Sequence, residues 1–131
     1  MVTKVKRKIL IVDDIDEYAM ALEVYLPDDA EIRYAATVDE ARTQLECRDG
    51  FVPDLAIIDV RLNSEAEGDV SGMELLSWMR QNFPQTRVIM ISAYQTFEHE
   101  IEAIERGAFC FLKKPLQPVE VKAALSKVLG S

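Results

Sequence analysis

What this 131-residue sequence has little of narrows its chemistry first. It holds two cysteines, Cys47 and Cys110, far apart and outside any CxxC spacing, and one histidine, His99. A clustered thiolate or imidazole metal site therefore has no ligands to draw on. Two unpaired thiols fit a reducing, cytoplasmic setting, and both read as buried side chains and not as a redox pair. Positive charge is also scarce: 15 Lys and Arg against 23 Asp and Glu leave a net charge of -8. That balance argues against a general binder of nucleic acid or of an anionic membrane, since there is no basic excess to offset phosphates. No apolar run approaches the roughly 18 residues that suggest a membrane span. The basic start "MVTKVKRK" leads into an apolar run too short for a signal-peptide core, and Asp13 and Asp14 cut it off. Internal repeats, linkers and low-complexity segments are lacking too.

What is present is an ordinary globular composition, 49% hydrophobic and 29% charged, at a length that fits one domain, residues 1–131. "KILIV" (Lys8 to Val12) is a short β-branched run, hence a buried strand. "DEYAMALEVYL" follows with Tyr18/Ala19, Leu22 and Leu26 at helical spacing, until Pro27 and Asp28 end it. "EIRYAAT" (Glu31 to Thr37) alternates as a strand does. Thr37 with Glu40 three residues on is a capping-box pattern opening a second helix. "LAIID" (Leu55 to Asp59) is a third strand, apolar on both faces. "SGMELLSWMRQNFP" reads as a helix with Met73, Leu76 and Met79/Arg80 near one face, closed by Pro84. "TRVIMIS" is a strand ending at Ser92. "TFEHEIEAIERG" is an amphipathic helix built on Phe97, Ile101 and Ile104, with Gly107 as its stop. "AFCFL" is the fifth strand, and "QPVEVKAALSKVLG" a last helix with Pro118 in its first turn. Five continuous strands alternating with five helices predict an α/β domain, a parallel sheet covered on both faces.

In such folds the ligand site lies outside the carboxyl ends of the strands. Asp13-Asp14, Asp59, Ser92 and Lys113-Lys114 all fall there. Each alone has a bland reading: a turn, a helix cap, a solvated lysine. Together at one edge they make a site. Three close carboxylates must take up a proton or be neutralised by a cation. Oxygen ligands without His or Cys suggest Mg²⁺, which uses one or two carboxylates plus waters and phosphate oxygens. A lysine offers a point charge and a serine a hydrogen bond to phosphate oxygens, while a carboxylate can serve as the nucleophile that forms an aspartyl-phosphate. The combination predicts phosphoryl transfer.

At this point the sequence resembles the receiver domains of bacterial two-component response regulators. The matching segments are "ILIVDDIDE", "PDLAIIDVRL", "GMELLSWMR", "VIMISAY" and "AIERGAFCFLKKPL". The resemblance covers nearly the whole chain. It implies a single doubly wound, flavodoxin-like domain whose five-stranded parallel sheet runs in the order 2-1-3-4-5, flanked by five helices. It implies Asp59 as phosphoacceptor, and Asp13 and Asp14 as the acidic pair holding Mg²⁺, with Asp14 the direct ligand and the Arg61 backbone carbonyl a further one. Ser92 takes the place of the hydroxyl that moves to the phosphoryl group. Lys114, which directly precedes proline, is favoured over Lys113, and the Lys114–Pro115 bond is expected to be cis. Phe111 stands at the aromatic switch position. The implied reaction moves a phosphoryl group from a phosphohistidine, on a sensor histidine kinase or phosphotransfer protein, to Asp59. The fourth helix, fifth strand and fifth helix then shift as a surface. The implied protein is a signalling switch that binds neither DNA nor membrane by itself, acting on a partner or on an output domain.

The sequence leaves its family's pattern after Asp59. Leu62-Asn63 stand where Met-Pro is common, and "VRLNSEAEGDVSG" is several residues longer before Gly72, with Glu65, Glu67 and Asp69 making it acidic. A tolerated surface insertion accounts for this. The sharper expectation is a loop that shapes access to Asp59, so that deleting Ser64 to Gly68 changes phosphotransfer or dephosphorylation rates. Arg61 and Tyr94 occupy positions expected to shield the acyl phosphate and slow its hydrolysis. His99 reads as a surface residue and Trp78 as packing. One rival is an enzyme: Asp14 and Asp16 have the D-x-D spacing of haloacid-dehalogenase-like phosphatases, with Asp14 as nucleophile. Tyr18 stands where that family has Thr or Val, and the chain is short for it. A flavin-binding module of similar architecture lacks a phosphate loop after the first strand. With no DNA-binding segment after the last helix, the chain reads as a stand-alone receiver or the front of a larger regulator.

Overall fold

The structure is a computed structural model that describes residues 6–63, 68–93 and 97–129. Its elements alternate as β1 (Lys8–Val12), α1 (Asp16–Glu23), β2 (Glu31–Ala35), α2 (Val38–Glu46), β3 (Leu55–Asp59), α3 (Ser71–Asn82), β4 (Arg87–Ser92), α4 (Phe97–Glu105), β5 (Cys110–Lys113) and α5 (Pro118–Leu129). The five strands form one sheet in the order β2-β1-β3-β4-β5, every pair parallel. Parallel strands need crossovers, and the helices supply them on both faces.

The two faces divide the apolar residues by the alternation of each strand. Ile9 and Ile11 of β1, Leu55 and Ile57 of β3, and Ile89 and Ile91 of β4 pack with Leu22 of α1 and Val121 and Leu125 of α5. Leu10, Val12, Ala56, Ile58, Val88 and Met90 face the other way, against Ala41 and Leu45 of α2, Met73, Leu76 and Met79 of α3, and Ala103 of α4. That is why the strands read as continuous apolar runs: both sides are buried. The exceptions are the two edge strands, β2, whose Tyr34 is 41% exposed, and β5, whose Cys110 and Phe111 are half-buried and Lys113 exposed.

Local signals set several boundaries. Thr37 Oγ1 accepts the Glu40 N–H at 3.1 Å while the Glu40 carboxylate accepts the Ala36 N–H at 3.1 Å, a reciprocal cap one residue wider than the standard box. Gly107, at φ +103°, ends α4 where a side chain would be strained. Other expectations are corrected. Helix α1 stops at Glu23 and not near Leu26, although Leu26 is still buried. Strand β2 ends at Ala35, because Thr37 is taken as the cap of α2. Strand β5 runs Cys110–Lys113, later than "AFCFL" suggested. In α4, from Glu98 on, the fully buried residue is the small Ala103, and Ile101 and Ile104 are about half exposed. Helical spacing marks an apolar face without saying whether this chain covers it. Cys47 is likewise exposed and not buried, since it follows the last turn of α2, and Cys110 is half-buried.

Candidate functional site

Strand register builds the site. Val12 lies beside Ile58, so the next residues, Asp13 and Asp59, emerge side by side. Asp59 lies beside Ile91, and Ser92 beside Lys113, so the chain turns from Lys113 into Lys114 at the same edge. The Lys114 N–H donates to the Ser92 carbonyl at 2.8 Å, and the Lys114–Pro115 bond is cis, as the resemblance implied.

The side chains converge. Lys114 Nζ donates to Asp13 Oδ2 at 3.0 Å and to Asp59 Oδ2 at 2.9 Å. The other oxygen of each acid is held by a backbone N–H two residues on: Ile15 to Asp13 Oδ1 at 3.0 Å, and Arg61 to Asp59 Oδ1 at 3.2 Å. Asp13, Asp59, Lys114 and Ser92 are all buried, at 5% exposure or less. Beneath the lysine lies Tyr18, its ring centroid 3.7 Å from Nζ. An ammonium over an aromatic face is attracted by the ring quadrupole, most strongly where water is excluded. Helical spacing places Tyr18 on an apolar face; no local signal tells that it meets a lysine from the far end of the chain.

The neighbouring Lys113 has a different fate. It is exposed, with a Glu100 carboxylate oxygen 4.0 Å from its ammonium. Phe111 is half-buried against the core on the α3–α4 side, and Arg61 and His99 are half-buried as well. Trp78 packs on Phe83 with ring centroids 5.7 Å apart and carries the Arg42 guanidinium 4.8 Å from its ring, in keeping with a packing role. Tyr94 lies outside the described residues, as do Ser64, Glu65, Ala66 and Glu67.

Electrostatically the cluster carries excess negative charge. Carboxylate oxygens of Asp13, Asp14 and Asp59 lie within 4.8 Å of one another. Three carboxylates against one ammonium leave two negative charges when all are ionised. Burial pushes the Asp59 carboxyl up to about 6, and the Asp13 charge adds to this, against the opposing pull of Lys114 and the Arg61 N–H. A divalent cation answers that imbalance. The donor set, all hard oxygen with one or two direct carboxylates to offer, fits Mg²⁺.

The segment after Asp59 is held tightly to it. Gly72 N–H donates to the Val60 carbonyl at 2.9 Å. A Cβ on Gly72 would run into the Asp59 carbonyl oxygen, so only glycine lets α3 begin this close to β3. Asp69 accepts from both ends of the loop, at the Leu62, Asn63 and Ser71 N–H groups and the Ser71 hydroxyl. Those bonds hold the Asp69 carboxyl below the usual range despite its partial desolvation. The sequence marked Asp69 only as one of three loop acids; the Asp-x-Ser spacing ahead of a helix was the available signal.

A parallel 2-1-3-4-5 sheet with acids, a hydroxyl and a lysine at its carboxyl edge defines a class, and comparison with known proteins agrees. Residues 9–126 match the family model described as "Response regulator receiver domain". The chain belongs to that family, the receiver domains of two-component signal transduction, and is a signalling switch. It is 40% identical over 112 residues to the response regulator protein PilR of Pseudomonas aeruginosa, covering 85% of this chain and 23% of PilR. It is 30% identical over 123 residues to the alginate biosynthesis transcriptional regulatory protein AlgB of Pseudomonas putida, covering 93% of this chain and 26% of AlgB. The crystal structure of a CheY-like response regulator receiver domain protein from Methanospirillum hungatei superposes with a TM-score of 0.81 at 26% identity, covering 96% of this chain and 95% of that one. The chain thus spans about a quarter of the length of these two curated relatives. The phosphatase alternative gains no support from these matches. Among the described residues no helix is long and apolar enough to cross a membrane.

Proposed function

We propose that the chain works as a single receiver domain that accepts a phosphoryl group on Asp59 from a phosphohistidine of a sensor histidine kinase or phosphotransfer protein. The observation that carries this is the Lys114 bridge: one buried ammonium bonded to both Asp13 and Asp59, at 3.0 and 2.9 Å, beside a third carboxylate. An Asp59 oxygen attacks phosphorus in line. The P–O bond to the carboxylate forms as the P–N bond to the donor imidazole breaks, and the released ring nitrogen keeps the electron pair. Asp13, Asp14 and Asp59, with the Arg61 carbonyl, are the groups to hold Mg²⁺, which when bound supplies charge neutralisation to the transferring phosphoryl oxygens. Lys114 keeps the Asp59 carboxylate oriented and offsets the negative charge that the phosphoryl oxygens bring to it. The Ser92 hydroxyl, fully buried one strand over, is the donor for a phosphoryl oxygen.

The phosphorylated state is proposed to draw Ser92 and Lys114 toward the new charge and to shift the populations of the α4-β5-α5 surface, with Phe111 moving between rotamers. Support comes from the exposure of that surface: Ile101 at 51% and Ile104 at 49%, two apolar residues available to a partner or an attached output domain. Arg61, half-exposed beside Asp59, is proposed to slow hydrolysis of the acyl phosphate; the same expectation for Tyr94 lies outside the described residues. A cytoplasmic setting is proposed with this reading; a phosphohistidine donor on a sensor kinase and the two free cysteines support it.

The test is labelling by a small acyl phosphate with Mg²⁺, followed by mapping of the modified residue. Label on Asp59, lost in Asp59→Asn and on chelation of Mg²⁺, is the expected result. Undiminished labelling of Asp59→Asn, or label on Asp14, overturns the assignment.

A further inference from the structure

The long acidic loop beside the phosphoacceptor has its two ends tied by a single carboxylate oxygen. Asp69 Oδ2 accepts the Leu62 N–H at 3.1 Å and the Asn63 N–H at 3.2 Å on the outgoing side. On the incoming side it accepts the Ser71 hydroxyl at 2.7 Å and the Ser71 N–H at 3.4 Å. A second tie lies nearer the strand, from the Gly72 N–H to the Val60 carbonyl at 2.9 Å. Between these two clasps sits Arg61. Its N–H holds Asp59 Oδ1, its guanidinium reaches the Asn63 carbonyl at 3.3 Å, and its own carbonyl is the proposed metal ligand.

We propose that Asp69 is a positioning residue for the phosphorylation site. Its carboxylate fixes the Arg61–Asn63 segment against the start of α3, so that the Arg61 N–H and carbonyl are held at Asp59 whatever the length of chain in between. The proposal rests on the reading of Asp59 as Mg²⁺-assisted phosphoacceptor. Two facts of chemistry favour it. Backbone amides at a helix start are strong partners for a carboxylate, and α3 begins at Ser71. An anion with several N–H donors is a far stiffer link than a loop's own backbone. The clasp also gives the lengthened loop a physical account. Extra residues between Asn63 and Asp69 add little closure entropy, and they leave the two fixed ends where they are. The carboxylate at residue 69, and not the loop length, then carries the influence on the site.

Groups that orient a metal ligand without touching the metal change affinity by roughly 10–100-fold when removed. Asp69→Ala is therefore expected to weaken Mg²⁺ binding, followed by amide NMR shifts with the metal alone, by about tenfold or more. The rate of labelling by a small acyl phosphate at sub-saturating Mg²⁺ is expected to fall in parallel and to recover as Mg²⁺ is raised. A residue that merely held the fold together would not give that metal-dependent recovery. Asp69→Asn, which keeps an accepting oxygen but not the charge, should fall between the two. Insertion of two glycines between Ala66 and Glu67 should leave both readouts within about twofold. If Asp69→Ala does not fold, Ser71→Ala removes the shortest tie alone and should weaken Mg²⁺ binding measurably. Mg²⁺ affinity and labelling unchanged in the Asp69 and Ser71 variants overturn the proposal. So does a loss on glycine insertion as large as that of Asp69→Ala. If the unaltered chain itself binds no Mg²⁺ and takes no label on Asp59, the underlying reading fails instead, and the two failures are told apart in one experiment.

Discussion

Two buried regions of this protein are opposite in kind. Under the sheet, Leu10, Ile58, Leu76 and Met79 are at 0% exposure among other apolar side chains. At its carboxyl edge, Ser92 is at 0%, and Asp13, Lys114 and Asp59 are at 4–5%, among charges. Burial in the first region drives folding, at roughly 25 cal/mol per Å² of apolar surface removed from water. Burial in the second opposes it, because each ion leaves water and recovers only part of that loss from its partners. The comparison teaches that exposure alone says nothing of stability. The same low exposure marks the residues that hold the fold and the residues the fold must hold in place.

Several substitutions would break or sharpen that contrast. The largest effect is expected for Lys114→Met, which fills the space but leaves Asp13 and Asp59 without their shared cation; removing one partner of a buried pair costs about 3–5 kcal/mol, read as a lower denaturant midpoint. Excess Mg²⁺ should restore part of it. A comparable loss in the apolar interior follows Leu76→Ala, about 3 kcal/mol from lost transfer and a residual cavity, with no dependence on Mg²⁺. That difference in metal response separates the two regions more clearly than the size of either loss.

Asp59→Asn should do the opposite and stabilise the metal-free protein at neutral pH. The folded-state carboxyl lies at about 6 against an ordinary 3.8. Folding therefore favours its protonated form, and the penalty is fully present above pH 6 and fades as pH falls toward 3.8. Two pH units at about 1.4 kcal/mol each give a gain of about 3 kcal/mol at pH 7 for removing the charge. Unfolding curves at pH 7 and pH 4 check it: the gain should largely vanish at the lower pH, and an Asn variant less stable than the unaltered chain at pH 7 would contradict the account. Smaller effects follow at the margins. Tyr18→Leu removes the aromatic face under Lys114 and should cost about 1–2 kcal/mol, with Tyr18→Phe close to neutral. Thr37→Ala removes the side-chain cap of α2 and should cost about 1 kcal/mol, read as a lower denaturant midpoint.

The legibility of each region follows the range of its causes. Short apolar runs such as "LAIID" and "RVIMIS" announce buried strands because their side chains need only be apolar. The Thr37 cap and the Gly107 stop were readable because both act within four residues. Where a residue's fate depends on distant chain, the pattern misled or was silent. Helical spacing gathered Ile101 and Ile104 into one face, yet the structure leaves both half exposed and buries Ala103 instead. Residue type alone predicts a buried Cys47, and it lies exposed beyond α2.

The sequence by itself determined the alternation of elements, the apolar identity of the strands and the placing of acids, serine and lysines at strand ends. These depend on local geometry and on the partition of side chains between water and core. The tertiary structure decided which groups meet. Register set Asp13 beside Asp59, and the turn after β5 sent Lys114 inward to both acids while its neighbour Lys113 went to solvent. It also put Tyr18 under that lysine and closed the loop on Asp69. Distances of a few ångströms between residues as many as 101 positions apart are fixed by packing and strand pairing, which no local pattern encodes.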